Sequence, residues 1–278
     1  MAKRNRATTA AKIEKMIKEG RGQGYGCDYL PWRTIRDVPS QGLSTRVAGW
    51  KTGRVHHFLS QGELDYFYVL DWSDVVMDIR EQYPLPLEAT QEIAERLGIK
   101  HPTDPKTKEA FVMTSDFLID VQVNHRVELK VRALRSANEL SSKRKIEKLE
   151  IEQTYWKERG VDWGIVTENE IPEALVKNVK WVHSAKDLSN SPAITPKILA
   201  QIEPVLFNHV MKPKMPLAHG ALEVDAILGL ESGSSLWVVR HFIANRVWMV
   251  EMNKPIDTGK PMVVIRSKQP VNQVGEHV

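Results

Sequence analysis

The chain has 278 residues, 42% of them hydrophobic, which is enough apolar material for two domains of ordinary size and excludes wholesale disorder. A net charge of +4 permits a polyanionic partner without requiring one, and the single cysteine, Cys27, excludes an internal disulfide and multi-cysteine metal sites. No apolar run approaches the ~18 residues of a membrane span and no His-Glu-x-x-His cluster marks a zinc hydrolase, so the expectation is a soluble, cytoplasmic protein.

In chain order, residues 1–18 are basic, and Ile13, Met16 and Ile17 are spaced for a short amphipathic helix. The glycine-rich run 20–26 has no strand before it and no Gly-Lys-Ser/Thr after it, which weakens a phosphate-loop reading. It reads as a flexible arm lying along nucleic acid, or equally as a surface loop. His56 and His57 are neighbours on a strand or loop, so their rings point apart. Ser60-x-x-Glu63 fits a capping box that opens a helix to about Leu70. On that helix Glu63 projects between Phe67 and Leu70, toward the core, where a carboxylate needs a cation or a metal. A strand through residues 75–82 and a proline-containing connection at 102–108 follow.

Residues 113–121 and 126–132 alternate with period two and read as a hairpin. Phe117, Ile119 and Val121 share one face, as do Val127, Leu129 and Val131 on the second strand. Burying both rows on one side requires a loop with an odd number of residues. A three-residue loop centred on Val123 pairs Phe117 with Leu129, sets Asp116 opposite Lys130 and places it diagonal to Glu128. Two hard carboxylates and an ammonium suit divalent-metal hydrolysis of a phosphodiester: the carboxylates hold the cation and the lysine positions water. The alternative is the ordinary charged face of a half-buried antiparallel sheet.

A helix over about 137–158 carries a core stripe of Ile146, Leu149, Gln153 and Trp156. Arg144, Lys145 and Lys148 lie beside it as solvated charges or phosphate contacts. A strand at 162–167 closes a mixed sheet flanked by helices, an α/β architecture. The run Ser189-Asn190-Ser191-Pro192 is the natural linker, giving domains 1–186 and 187–278. Beyond it, helices at 222–230 and 234–245 and strands at 247–252 and 261–265 form a winged-helix-like α+β unit, or a small domain without a nucleic-acid role.

Helix Glu63, strand Asp116 and strand Glu128-Leu129-Lys130, in that order, resemble the PD-(D/E)xK core of restriction-endonuclease-like proteins. Further blocks extend the resemblance over roughly residues 1–185. They are Lys18 to Gly26, Lys51-Thr52-Gly53-Arg54-Val55-His56-His57, Asp78 to Leu85, Gly98 to Pro102, Glu147 to Glu152 and Tyr155-Trp156. Together they resemble TnsA, the endonuclease subunit of heteromeric transposases. The resemblance implies cleavage of the 5′ ends of transposon DNA, beside a TnsB-type transposase acting on the 3′ ends and a TnsC-type ATPase regulator. It implies Mg2+, with Mn2+ as a substitute, held by Glu63, Asp116, Glu128 and the Leu129 carbonyl, with Lys130 orienting water. It also implies a C-terminal domain for protein contacts. Glu128 stands where the best-known members carry glutamine. The rival readings are a free-standing restriction or junction-resolving nuclease and a non-catalytic winged-helix adaptor.

Overall fold

The computed structural model describes residues 7–37, 45–191 and 194–267, which divide into two compact units at Ile171/Pro172. In the first unit, α1 (Ala10–Lys18) is capped by the Thr9 hydroxyl, which accepts from the Lys12 amide, and it buries Met16. Of the basic N-terminal stretch, residues 1–6 lie outside the described residues. The glycine run that follows is no free arm. Gly22, at φ 79°, passes so close to Pro84 that a Cβ would sit 2.1 Å from its ring. Tyr29 and Trp32 are buried, with the Tyr29 hydroxyl donating to the Glu81 carbonyl and the Trp32 amide to that of Gln82.

Strands β1 (Thr45–Ala48) and β2 (Val55–Phe58) form a small antiparallel ribbon that pairs Arg46 with His57. Helix α2 (Gln61–Trp72) starts where the capping pattern places it. The Ser60 hydroxyl accepts from the Glu63 amide, while the Glu63 carboxylate reaches back to the Leu59 amide, one residue beyond the reciprocal box. Strand β3 (Val76–Pro84) leads into α3 (Leu87–Arg96), a helix that the sequence reading missed. Then come β4 (Thr114–Val123), β5 (Arg126–Leu134), α4 (Lys143–Lys157) and β6 (Asp162–Val166). The sheet order is β3-β4-β5-β6, antiparallel except for the parallel β5–β6 pair, for which α4 supplies the crossover.

One sheet face packs Leu118 and Val131 against Ile93 of α3 and Ile151 and Tyr155 of α4. Near Phe117 the rings of Phe58 and Phe67 close a second cluster, with Phe117 and Phe67 centroids 6.2 and 4.7 Å from that of Phe58. The expected stripe of α4 is rotated: Leu149 and Trp156 are buried as expected, but Ile146 and Gln153 are exposed and Ile151, Glu152 and Tyr155 are buried instead. The helix also breaks at Ser142, which separates α4 from a short 3-10 turn at Ala137–Ser141.

Beneath the ribbon lies a buried ionic knot. Burial alone would raise the Glu81 carboxyl, but hydrogen bonds from Arg54 (2.9 and 2.5 Å) and a 2.8 Å contact to His56 Nδ1 hold it down at about 2. His56 is in turn 2.7 Å from the Thr52 hydroxyl, and His57 contributes its amide to Glu81. Thr52, Arg54, His56 and His57 of the Lys51-Thr52-Gly53-Arg54-Val55-His56-His57 block take part in this knot.

The second unit holds α5 (Glu173–His183), α6 (Pro196–Val210), α7 (Leu217–Leu228) and α8 (Ser234–Ala244), with a ribbon of β7 (Trp248–Met249) and β8 (Ile265–Arg266). The helix-turn-helix-ribbon order of α7, α8, β7 and β8 follows the expectation, although the ribbon has only two residues per strand. Helix α6 was not anticipated. The division falls before α5, earlier than the expected break after Lys186, because α5 is committed to the second unit. Its Asn178 amide donates to the Met252 and Lys254 carbonyls, and Arg240 of α8 donates to the Trp181 carbonyl. Pro192 of the expected linker lies outside the described residues.

The β4–β5 register is the main correction. Val123 pairs with Arg126, leaving a two-residue turn of Asn124 and His125, and Phe117 pairs with Arg132 instead of Leu129. Both turn residues have positive φ, 48° and 64°, as a tight primed turn matched to strand twist requires. Glycine is at ease there and histidine is not. His125→Gly should therefore stabilise the protein by roughly 1 kcal/mol, read as a higher urea midpoint at constant slope. A lower midpoint would contradict the turn.

Candidate active site

The corrected register rearranges the expected site. Continuing the ladder by one pair brings Asp116 level with Ala133, so its carboxylate meets the end of β5. Asp116 Oδ2 accepts from the Leu134 amide at 2.8 Å and from Arg135 Nη1 at 2.5 Å, and Oδ1 accepts from Gln82 Nε2 at 3.4 Å. Lys130 pairs with Ile119 and Glu128 with Val121, three and five residues along the ladder from Asp116 and on the parity of Phe117. At about 3.3 Å per residue, Lys130 is roughly 10 Å along the strand from Asp116. Lys130 instead lies 3.8 Å from Glu128 and 3.5 Å from Asp162. The physical reason is parity: an even loop exchanges the faces of β5 relative to the odd loop assumed. Leu129 accordingly packs in the α3–α4 core cluster, and Leu134 takes the place beside Asp116. Ala133, and not Glu128, occupies the strand position facing the aspartate.

Glu63 and Asp116 do come together. Both are buried and line one cavity of about 590 Å3, along with Gln82, Arg135, Lys148 and Glu152. Burial, then the neighbouring Asp116 charge, pushes the Glu63 carboxyl up to about 8. Glu152, which sequence reading left unassigned, is raised to about 7 by the same two causes, although Trp163 Nε1 donates to it at 3.2 Å. A glutamate within the apolar spacing Leu149-x-x-Glu152-x-x-x-Trp156 was the available signal. Arg135 bridges these groups. Burial works against its charge, yet Asp116 and Glu152 more than offset that, and Nη1 also donates to the Leu134 carbonyl. Lys148 stands one helical turn before Glu152, and burial together with Arg144, Arg135, Arg33 and Lys145 lowers its ammonium.

Gln82 explains how β3 serves the site. It has φ 51°, an uncommon conformation for a non-glycine, and it is buried while its side chain reaches Asp116. Its side-chain carbonyl also accepts from the Thr114 hydroxyl at 3.3 Å. The kink lies in the Asp78 to Leu85 block and turns an amide toward the acidic centre.

A mixed sheet flanked by helices, with carboxylates from α2, β4 and α4 lining one cavity, is consistent with a restriction-endonuclease-like fold. Two family descriptions match the chain: "TnsA-like endonuclease N terminal" over residues 73–168 and "TnsA endonuclease C terminal" over residues 170–252. The Transposon Tn7 transposition protein TnsA of Escherichia coli is 38% identical over 247 residues, covering 88% of this chain and 87% of that protein. The chain belongs to the TnsA family of transposition endonucleases. The junction of the two matches falls close to the structural division at Ile171.

The raised carboxyls make stability depend on pH. A carboxyl whose folded pKa exceeds its unfolded value contributes stability that is fully present below about 4.5 and is lost as pH rises through the folded value. In chelator-containing buffer, Glu63 and Glu152 should lower the thermal midpoint between pH 5 and 8.5. The histidines His57, His101 and His241, whose folded values are lowered, act in the opposite sense, so the comparison is with variants. Glu152→Gln should flatten the fall relative to wild type, and an unchanged slope in both Glu152→Gln and Glu63→Gln would contradict the placement of these groups.

Proposed function

We propose that this protein hydrolyses the phosphodiester bonds at the 5′ ends of transposon DNA, beside a TnsB-type transposase that cuts and joins the 3′ ends and under a TnsC-type ATPase. The observation that carries this reading is that the buried Glu63, Asp116 and Glu152 line one cavity of a TnsA-family chain.

The donor set supports a divalent cation of the Mg2+ class. Asp116 Oδ2 and the Leu134 carbonyl already converge on one positive charge, the Arg135 guanidinium. These are the hard oxygens such an ion takes. Among the described residues no group of three or more His, Cys, Asp or Glu side chains is arranged to hold a metal ion. Glu63, Asp116 and the Leu134 carbonyl would hold the ion, with Glu152 supplying the acidic group that Ala133 cannot. When bound, the cation neutralises the phosphate and lowers the pKa of bound water. Arginine does not give up its proton at neutral pH, so Arg135 would serve as a fixed charge that orients phosphate or water. Lys148 is the lysine that reaches the cavity from α4.

Two strand-specific measurements test the assignment. Asp116→Ala should lose 5′ cleavage by at least ~100-fold while 3′ joining by the partner continues, leaving a branched product still attached to donor DNA. Lys130→Ala, in contrast, should retain 5′ cleavage within a few-fold of wild type. Loss of cleavage in Lys130→Ala with normal assembly would restore the strand lysine to the site and overturn the present one.

The C-terminal unit, winged-helix-like in its order of elements, is proposed to serve the regulator. A fragment ending at Ile171 should fold cooperatively and keep the acidic cavity, yet lose capture of the ATPase. Capture at full strength would move that contact to the N-terminal unit.

A further inference from the structure

A second groove, of about 730 Å3, adjoins the acidic cavity and shares Lys12, Met16 and Asp37 with it. It is built from α1, the loop at 34–37 and the β1–β2 ribbon, and its lining includes Lys15, Arg21, Arg36, Arg46 and His57. Its charge is only partly balanced. Arg21 is paired with Glu19 at 2.9 Å and Asp37 at 2.7 Å, and Lys15 stands 3.9 Å from Glu19. Arg36 and Arg46 are exposed, and among the described residues neither has a carboxylate within ion-pair distance. Uncompensated cations held side by side repel one another, an arrangement that favours a polyanion laid between them.

The positive field is felt at both ends. At the groove, burial lowers the His57 imidazole against the pull of Glu81, and Arg46, Arg54 and Arg36 lower it further. At the cavity, Arg144, Arg135, Arg33 and Lys145 act on Lys148 beyond the effect of burial. Arg46 is held on a strand pair, opposite His57 in the ribbon, and the amide of His57 is anchored on the buried Glu81 knot.

We infer that this groove carries the sugar–phosphate backbone of duplex DNA flanking the bond to be cut, with Arg36 and Arg46 as phosphate-positioning residues. The inference rests on the proposed reading of the cavity as a phosphodiester site. A scissile phosphate is part of a continuous charged chain, so a chain entering the acidic cavity must leave it along some surface. The groove that shares the cavity wall is cationic and open. An acidic peptide would suit the charge but has no reason to continue into a cluster of three carboxylates. A DNA strand does, because its backbone supplies the electrophilic phosphorus there.

The test measures binding apart from cleavage. Full-length Asp116→Ala protein, which cannot cut on the proposed reading, is titrated into a fluorescent duplex in EDTA at several salt concentrations. Arg36→Gln with Arg46→Gln in that background should lower the slope of log affinity against log salt by about 1.8, roughly 0.9 for each phosphate no longer neutralised. Lys157→Gln, at an exposed lysine outside the groove, should leave the slope unchanged. An unchanged slope in the double variant would overturn the inference, as would intact DNA binding with abolished binding of an acidic peptide. Failure of the cleavage reading looks different: Asp116→Ala on its own would still cut, while the salt slope would still respond to Arg36 and Arg46.

Discussion

The register of β4 against β5 is the constraint on which the acidic centre depends. Side chains alternate with period two, so a single-residue change in the turn exchanges every contact across the pair. The Asn124–His125 turn fixes the pairing of Phe117 with Arg132. That pairing decides that Asp116 meets the Leu134 amide and the Arg135 guanidinium. The same strand then pairs in parallel with β6, from Lys130 against Asp162 to Leu134 against Val166. A parallel pair needs a long crossover, and α4 is that crossover. Where β5 ends therefore also sets where α4 begins, and α4 carries Lys148 and Glu152 into the cavity. One turn thus positions groups that lie as much as 36 residues apart in the chain, from Asp116 to Glu152.

The opposite wall depends on the Glu81 knot. Breaking such a buried pair from one side costs about 3–5 kcal/mol, because the partner charge is left without compensation. Here the partners come from separate segments: Arg54 and His56 from the β2 region, and Tyr29 through its hydroxyl to the Glu81 carbonyl. Arg54 also lies 5.0 Å from the Tyr29 ring centroid. The glycine run, the ribbon and strand β3 are therefore tied at one buried point. Gln82, the very next residue, carries the kink that turns its amide to Asp116. Packing of the N-terminal segments and geometry of the acidic centre share two consecutive residues of β3.

Much of this was legible in the sequence because it is local. The capping pair Ser60 and Glu63, the positions of β4 and β5 and the order of the central sheet's strands are short-range patterns, and the structure follows them. Glu63 was singled out because it projects toward the core, where a solvated carboxylate should not sit, and Asp116 because the expected hairpin sets it across from Glu128 and Lys130. What failed was parity across the hairpin. Strand β4 is buried on both faces, with Phe117 and Ile119 on one and Leu118 on the other. Matching the row of Leu129 and Val131 to Phe117 in place of Leu118 favoured the odd loop. Glu128-Leu129-Lys130 then matched a familiar acid-x-lysine spacing and drew attention from Ala133-Leu134-Arg135. Glu152 was overlooked for a different reason: it shares the spacing of Leu149 and Trp156, but Ile146 and Gln153 were assigned to the buried face in its place. The boundary before α5 was hidden because it is set by contacts with residues some 60–75 positions further on.

The residue at the end of β5 changes what the site can be asked to do. A lysine there could both carry charge and, when desolvated, give up a proton to or take one from water. Arg135 can do only the first, since its guanidinium stays charged throughout the range in which proteins are folded. A single nitrogen, Nη1, donates to both Asp116 and the Leu134 carbonyl and holds them together. On the proposed reading, water is therefore oriented by charge and by the carboxylates of α2 and α4, and the strand contributes a ligand and a counter-charge. Substituting the arginine would release Asp116 and the Leu134 carbonyl together, so its effects on folding and on hydrolysis are coupled by geometry. The acid supplied from α4 in place of Ala133 follows the same logic: a helix packed across the sheet can deliver a carboxylate to the point where the strand has none.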